Sequence, residues 1–150
     1  SRANTATTAY ISGPELLHRK KGTIYPLAFT FTEEVRRTRT SLIINEENYK
    51  DYLERFPGLA PNFQAGFRSL MVVPLISKDE VIGVLQFRHT KLSTYLEKDL
   101  KLAERMGFQI AGAIANAQLF LERKLAEEAL KESEKSISIS MTMHRICITL

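Results

Sequence analysis

The chain has 150 residues, of which 44% are hydrophobic and 25% are charged, a balance typical of one globular domain rather than of a disordered segment. No apolar run approaches the roughly 18 to 20 residues of a membrane span, and residues 1–5 lack the apolar core of a signal peptide. We therefore expect a soluble, cytoplasmic segment without membrane contact. Because it begins without Met, we expect it to come from a larger protein.

The formal net charge of +4 is mild, and the basic residues stand in short clusters at 18–21 and 36–39. Nucleic-acid binding would require a denser basic stripe or a known reading motif, and the sequence has neither. Solvated surface is the better interpretation of these clusters. No nucleic-acid partner is expected.

Cysteine and histidine are too sparse for a metal or redox site. Cys147 is the only cysteine, so it has no partner for an internal disulfide, a thiolate metal site or redox chemistry. His18, His89 and His144 are far apart in sequence, and no metal site is expected from them. His89 follows a predicted strand and is a formal candidate for a haem ligand, but a surface histidine is the more common role without a second ligand.

The first elements of the chain are predicted to be short strands. Residues 7–12 predict a strand that ends at the Gly13-Pro14 turn. Residues 23–29 are apolar but contain Pro26, which favours an edge strand or an irregular segment.

Two short helices are predicted next. Thr30 and Glu33 have the spacing of a capping box, which marks a helix start. A second helix is expected from Asn45, a good N-cap residue, to the Pro57-Gly58 turn. Residues 59–66 contain a further proline and glycine and are expected to form a loop.

Two apolar runs of strand length, 67–76 and 81–88, are separated by four polar residues and predict an antiparallel hairpin, here called the central hairpin. Its first strand is apolar on both faces, so cover is expected on both sides. In its second strand, Gly83 indicates a bulge or a close approach. The face that bears Gln86 and Arg88 is polar and should meet solvent or a pocket.

A long helix is predicted from a capping box formed by Thr94 and Glu97. Apolar and small residues then recur at alternating steps of four and three, which keeps one seam facing a partner. This seam contains Leu96, Leu100, Ala103, Gly107, Ile110, Ile114, Ala117 and Leu121. A second stripe, expected to pack on the sheet, contains Leu102, Met106, Gln109 and Ala113. Two apolar faces predict two neighbours for this helix.

Three units are expected along the chain. Residues 1–120 form the folded domain, and residues 121–135 form a charged helical linker that is stable when it pairs with a second copy. Residues 136–150 form a tail in which apolar residues alternate as they do in a strand.

Four motifs together resemble the GAF domain family, although each is weak alone. They are the strand end Val73-Pro74-Leu75, the strand Val81-Ile82-Gly83-Val84-Leu85, the acidic helix start Glu97-Lys98-Asp99-Leu100, and the helix end Ala113-Ile114-Ala115-Asn116-Ala117-Gln118-Leu119. The resemblance covers about residues 9–119. It implies an α+β, profilin-like or PAS-like fold, in which a central antiparallel sheet has helices on one face and a pocket on the other, followed by a long C-terminal helix.

The family pattern also includes an initial helix and a first strand in the middle of the sheet, which this chain lacks. We therefore expect a domain truncated at its N-terminus, with a gap that would expose sheet edges. One hypothesis is that residues 136–150 fill this gap, from the same chain or by swapping from a partner. The alternative is a disordered tail, or one foreign to the natural protein.

The known chemistries of the family fit this sequence poorly. Reduction of methionine sulfoxide and covalent attachment of a bilin both require cysteines within the domain, whereas Cys147 lies in the tail. The cyclic-nucleotide signature of some members is missing from the sequence. Glu97 and Asp99 are explained by favourable charges at a helix start. No catalytic residue is expected, and no cofactor is identified.

A ligand pocket is expected between the sheet and the loops around Thr30 and Gly66. The candidate lining residues are Phe29, Phe67, Arg68, Ser69, Met71, Gln86 and Arg88. Arg68 could pair with an anionic ligand. Taken singly, each aromatic or methionine residue is more simply explained as part of the core.

The later part of the helix seam is the candidate interface of a homodimer. It consists of Ile110, Ile114, Ala117 and Leu121, and the small Ala117 would allow a close approach of two helices. The alternative is that these residues pack on the sheet of their own chain.

The sequence therefore predicts a sensory GAF domain of a bacterial signalling protein such as a sensor histidine kinase. It would bind a small molecule or a partner and transmit through a dimerising C-terminal helix. The alternatives are a dimerisation module without a ligand, and a small-molecule enzyme on the same scaffold.

Overall fold

The computed structural model describes residues 4–13, 20–45 and 47–135 of the chain. In chain order its elements are β1 (Thr5–Thr7), β2 (Ile24–Pro26), α1 (Phe31–Thr38), β3 (Leu42–Ile44), α2 (Tyr49–Arg55), a 3-10 turn (Pro57–Leu59), α3 (Ala60–Gln64), β4 (Ser69–Ser77), β5 (Glu80–His89) and α4 (Glu97–Lys135). β1 and β2 form a small antiparallel sheet, and the central antiparallel sheet has the order β3-β4-β5. The predicted α+β class and the long C-terminal helix are confirmed.

The central hairpin forms as predicted, with a tighter turn than its four polar residues required. Ser77 pairs with Glu80, so Lys78 and Asp79 alone make the turn. Their φ angles are +49° and +62°, which is the left-handed pair that a type I′ turn requires. Glycine usually fills such positions, and here two polar L-residues adopt them.

The bulge predicted near Gly83 lies beside it. Leu75 pairs with Gly83 and Ile76 pairs with Val81, so Ile82 is the extra residue on β5. A bulge of this kind bends the strand and increases its twist.

One face of the central sheet packs against α1, α2 and the 3-10 turn. Leu70 and Val72 of β4 are fully buried there. They belong to a core cluster completed by Phe31, Val35, Ile44, Phe56 and Leu59. We call this group the loop-side core.

The helix α1 begins where the capping box predicts. The Thr30 Oγ1 accepts a hydrogen bond from the Glu33 N–H at 3.2 Å, which satisfies one of the unpaired donors of the first turn. Phe31 and Val35, four residues apart, then point into the loop-side core and are 1% and 0% exposed. The cap thus fixes the register in which α1 presents its apolar face to the sheet.

The other face of the sheet packs against α4. Met71 and Val73 of β4 contact Ala103 of the helix, with Leu100 and Phe87 partly buried around them. We call this group the helix-side core. Both faces of β4 are therefore covered, as the sequence predicts, because its alternate residues enter two different cores.

Gly107 permits the close approach of α4 to β4. A Cβ atom at this position would lie 3.2 Å from Val73 Cγ1, which is tighter than normal contact, and 3.5 Å from the Pro74 carbonyl oxygen. The seam residues Ala103 and Gly107 thus face the sheet of their own chain. The second stripe, expected to pack on the sheet, instead faces outward, with Leu102 59% and Met106 42% exposed.

Four local predictions were wrong. Residues 59–66 contain the end of the 3-10 turn and α3, because the buried Leu59 anchors them and Pro61 is tolerated in the first turn of a helix. The second helix begins at Tyr49 instead of after Asn45, whose Oδ1 accepts from the Glu47 and Asn48 N–H groups in a turn.

The third wrong prediction concerns the start of α4. The helix begins at Glu97, and the Asp99 carboxylate accepts from the Leu96 N–H at 2.8 Å, so the capping box predicted at Thr94 does not form. From Glu97 the helix continues without interruption for 39 residues, through the segment 121–135.

The N-terminal strand also lies earlier than predicted. β1 spans Thr5–Thr7 instead of residues 7–12, because Ala6 is buried and pairs with Tyr25 of β2. Among the described strands, β5 pairs with β4 alone. The hypothesis that residues 136–150 fill a gap in the sheet concerns residues that lie outside the described part of the chain.

The two glycines of α4 provide a matched test of this packing. We expect Gly107→Leu to lower the free energy of unfolding, since overpacking costs about 1–3 kcal/mol and exceeds the gain of about 0.8 kcal/mol in helix propensity. Gly112→Leu should instead leave stability unchanged or raised, because a Cβ there meets nothing within 4 Å. Urea unfolding measures both. Equal effects of the two substitutions would contradict the contact at Gly107.

Candidate functional site

An open cleft lies between the turn that joins β2 to α1 and the turn that follows α2. Its volume is about 510 Å³. The residues that line it are Thr23, Tyr25, Pro26, Ala28, Phe29, Thr30, Glu54, Arg55, Pro57 and Gly58. Most of this surface is apolar, and two charged side chains border it.

Phe29 is held at the rim of the cleft in a strained conformation. Its φ is +60° and its side chain is 83% exposed. Its neighbours fix it there, because Leu27 and Phe31 are 2% and 1% exposed and Thr30 donates from both N and Oγ1 to the Leu27 carbonyl, at 3.1 and 2.6 Å. A phenylalanine in a left-handed conformation costs free energy, and such strain is concentrated at functional sites.

Arg55 borders the opposite side of the cleft in a fixed orientation. Its Nη2 donates to Glu34 Oε1 at 3.0 Å. Its guanidinium carbon also lies 5.6 Å from the ring centroid of Tyr52 and 5.1 Å from that of Phe56, within the range of cation–π attraction. The helices α1 and α2 are thereby linked by one arginine at the edge of the cleft.

Glu34 is the shared acceptor of two arginines. The hydrogen bond from Arg37, at 2.9 Å, is the main cause that lowers the pKa of Glu34 below its ordinary value of 4.5. Partial burial opposes this effect, and the positive charges of Arg37 and Arg55 add to it. The carboxylate is therefore held ionised and keeps Arg55 in place.

Five of the seven residues predicted for the pocket lie on or beside the loop side of the sheet. Phe29 lines the cleft, and Phe67 packs against the loop-side core. Arg68 donates to the carbonyl oxygens of Phe63 and Phe67, both at 3.0 Å, and its guanidinium lies 5.9 Å from the Phe63 ring centroid. Arg68 is thus engaged with its own backbone.

Gln86 and Arg88 point to the same face of β5, where Arg88 Nη2 donates to Gln86 Oε1 at 2.6 Å. They pair across the sheet with Val72 and Leu70 of the loop-side core. Neither residue lines the cleft.

Ser69 and Met71 lie on the opposite face of the sheet from Gln86 and Arg88. The Ser69 Oγ donates to the Lys91 carbonyl at 2.7 Å and accepts from the Thr94 N–H at 3.1 Å, which ties the start of β4 to the approach of α4. Met71 packs in the helix-side core. Of the seven predicted residues, the structure therefore brings only Phe29 to the described cleft.

Sequence reasoning missed Tyr25, Arg55 and Pro57 as lining residues. The position of Arg55 depends on its contact with Glu34, which is 21 residues away and leaves no local signal. The Pro57-Gly58 turn was recognised only as a helix end.

Comparison with known proteins identifies the family. Residues 12–115 match the GAF domain family over more than half of the chain. The chain belongs to the GAF domain family. No curated protein is similar enough to this GAF domain to count as a match.

Two solved structures share the fold of this GAF domain. The GAF domain of a two-component sensor histidine kinase from Bacillus halodurans has a TM-score of 0.53 and 19% identity, over 68% of this chain and 67% of that one. The phycocyanobilin-bound GAF domain of a cyanobacterial phytochrome has a TM-score of 0.56 and 18% identity, over 79% and 72% of the two chains. At these identities the likeness shows a common fold.

The predicted dimer residues lie on α4 with different exposures. Ile110, Ile114 and Leu121 are half-buried on the side of the helix that bears Ala103 and Gly107, whereas Ala117 is exposed. Within residues 4–13, 20–45 and 47–135, no group of His, Cys, Asp and Glu is arranged to hold a metal ion. No helix in the described ranges combines the length and apolar character that crossing a membrane requires.

The pair between Glu34 and its arginines predicts a pH dependence. A carboxyl whose pKa is lower in the folded state stabilises the fold above its unfolded value of 4.5, and this stabilisation is lost as the pH falls through the folded pKa. We expect the free energy of unfolding of the unmodified domain to fall more steeply from about pH 5 to about pH 3 than that of Glu34→Gln. Urea unfolding across this range measures the difference.

Glu47→Gln is the matched control, because Glu47 is exposed and has no ion pair among the described residues. It should retain the acid-dependent loss of the unmodified domain. An identical pH profile for Glu34→Gln and Glu47→Gln would show that the Glu34 pairs do not stabilise the fold.

Proposed function

We propose that this GAF domain is the sensory unit of a cytoplasmic bacterial signalling protein, such as a sensor histidine kinase, and that it acts as a homodimer. A small molecule bound on the loop side of the sheet changes the packing of β4. This change alters the geometry of two paired α4 helices and so the activity of a downstream module. The proposal assigns catalysis to that module and not to this domain.

The observation that supports the proposal is the position of β4 between two cores. Leu70 and Val72 enter the loop-side core, while Met71 and Val73 enter the helix-side core. Four consecutive residues therefore contact both layers. Because packed cores rearrange between discrete arrangements, a change on one face has a short route to the other.

The family and the length of α4 support signal transmission through this helix. GAF domains are typically sensory or regulatory, and one structure with the same fold comes from a sensor histidine kinase. α4 extends 28 residues beyond Gly107, its contact with Val73, because it ends at Lys135. At 1.5 Å per residue this is about 42 Å, enough to reach a following module.

The exposed stripe of α4 is the surface that we propose for helix pairing. Leu102 and Met106 are followed on the same face by Ala113 and Phe120, and Phe120 is 69% exposed. The intervening positions are Gln109 and Asn116. Steps of four and three residues are those of a coiled-coil seam, in which a few polar residues specify register at some cost in stability.

The predicted seam of Ile110, Ile114, Ala117 and Leu121 remains the rival surface. Its earlier residues, Ala103 and Gly107, are covered by the sheet. The exposed stripe has no such cover, which favours it as the contact with a second copy.

Paired substitutions distinguish these two surfaces. We expect Met106→Glu with Phe120→Glu to give a folded monomer, since a charge at each seam position destabilises the pairing of apolar helix faces. Ile114→Glu with Leu121→Glu should leave the dimer intact if the exposed stripe is the contact. Light scattering measures the mass, and circular dichroism confirms folding. A dimer that survives the first pair of substitutions but not the second would show that the predicted seam is the interface.

The proposed function is tested by native mass spectrometry of the purified domain. The expected spectrum is that of a dimer with a retained small molecule, or of a dimer that takes one up from a metabolite extract. A dimer that binds nothing would favour the dimerisation module without a ligand. A monomer without any ligand would contradict the proposal.

A further inference from the structure

We infer that the open cleft binds small organic anions that contain a flat ring, with the ring against Phe29 and Tyr25 and the anionic group on Arg55. This inference names the ligand class for the proposed sensory function and rests on it for its biological meaning. The binding itself is a property of the cleft and is tested separately.

The shape and lining of the cleft suit a flat, largely apolar ligand. The ring-bearing residues Tyr25, Pro26, Phe29 and Pro57 line it, together with Gly58, which has no side chain. Its volume of about 510 Å³ is within the range of sites for small organic molecules. Aromatic rings favour offset or edge-to-face contacts with another ring, so these residues select a planar group.

Phe29 is the strongest indication that the cleft has an occupant. The residue is 83% exposed, although the residues two positions before and after it are almost fully buried. Its left-handed φ of +60° lies within the turn that the two hydrogen bonds from Thr30 to the Leu27 carbonyl close. Glycine would adopt this conformation without strain. A phenylalanine at this position therefore costs stability in the empty domain, and contact with a ligand offsets that cost.

Arg55 supplies the anion-binding group. One guanidinium nitrogen donates to Glu34, and a guanidinium has five N–H donors, so others remain for a ligand. Glu34, Tyr52 and Phe56 already fix its orientation. Little side-chain entropy is then lost on binding, and a planar guanidinium matches the two oxygens of a carboxylate.

The charges around the cleft favour an anion over a cation. Glu34 is shared by Arg37 and Arg55, so this group of one carboxylate and two guanidinium groups keeps a net positive charge. The exposed turn of Lys20 and Lys21 adjoins the wall of the cleft, because the Lys20 N–H donates to Thr23 Oγ1. Glu54 is the one acidic residue of the lining. A positive surplus at the mouth attracts anions.

A pair of isosteric probes tests the inference. 2-Naphthoate and the neutral 2-naphthamide are titrated up to about 10 mM against the full chain, with binding followed by NMR chemical-shift changes. We expect a Kd on the order of 1 mM for the naphthoate, as ring contacts and one charged bond imply. The amide should bind about ten- to a hundredfold more weakly, because it lacks the charge-assisted bond. Equal binding of both probes, or no binding of naphthoate at about 10 mM, would overturn the inference.

Arginine variants locate the anionic group. Arg55→Gln should abolish the preference for naphthoate over naphthamide. Arg36→Gln is the matched control, because Arg36 is also an exposed arginine paired with a glutamate, Glu33, but does not line the cleft. It should retain the preference. Loss of the preference in Arg36→Gln, or its retention in Arg55→Gln, would place the anion elsewhere.

The variant Phe29→Gly separates binding from folding. It removes the ring and the backbone strain together, so the melting temperature should stay the same or rise while affinity for 2-naphthoate falls at least about tenfold. Unchanged affinity in this variant would remove Phe29 from the site.

The inference about the cleft and the proposed sensory function can fail independently of each other. A dimer that retains a different small molecule in native mass spectrometry, but ignores 2-naphthoate, overturns the cleft inference alone. Specific binding of 2-naphthoate to a domain that stays monomeric establishes the cleft as a binding site. It also contradicts signal transmission through paired helices.

Discussion

The fold depends on the coverage of β4 from both sides. Seven consecutive residues of this strand, from Ser69 to Leu75, are buried. A strand of this kind is stable only where each face has its own apolar layer, so the chain must supply two. α1, α2 and the 3-10 turn supply one layer, and the first turns of α4 supply the other. The domain therefore has one apolar layer on each face of the sheet, and β4 contacts both layers.

The burial of β4 on both faces could be predicted from the sequence because it depends on a local pattern. Neighbouring residues of a strand point to opposite faces, and Leu70 to Leu75 are apolar throughout, so both faces were predicted correctly. The capping of α1 by Thr30 was predictable for the same reason, since the contact spans three residues. The central hairpin was predicted from two apolar runs and the polar residues between them. Its turn is formed by Lys78 and Asp79, in a conformation that glycine usually provides.

Features that depend on distant contacts were not predictable. The stripe of α4 that packs on the sheet was predicted wrongly, because periodicity shows that two apolar faces exist but not which one meets the sheet. Gly107 decides this by its fit against Val73, which is 34 residues earlier in the chain. The predicted pocket likewise combined Met71 with Gln86, although their strands present them to opposite faces. The cleft requires Arg55 to meet Glu34, and no local pattern predicts that contact.

In the proposed function, the cleft and α4 are connected through β4. Arg55 and Pro57 flank Phe56, which belongs to the loop-side core with Val72. Movement at the cleft can therefore displace a side chain that touches β4, and α4 lies on the other side of that strand. Coupling between two sites is a free energy shared by both, so a ligand that binds one packing arrangement more tightly would shift the paired helices of the proposed dimer toward it.

In the proposed dimer, the distance between the two α4 helices is the most direct test of this coupling. In a Cys147→Ser background, Ser133→Cys places a nitroxide on an exposed position near the end of α4, and pulsed electron spin resonance measures the separation of the two labels in a dimer. The account predicts one distance distribution for the empty domain and a shifted or redistributed one when the cleft is saturated with its ligand. Identical distributions in a dimer whose cleft is shown to be occupied would contradict it.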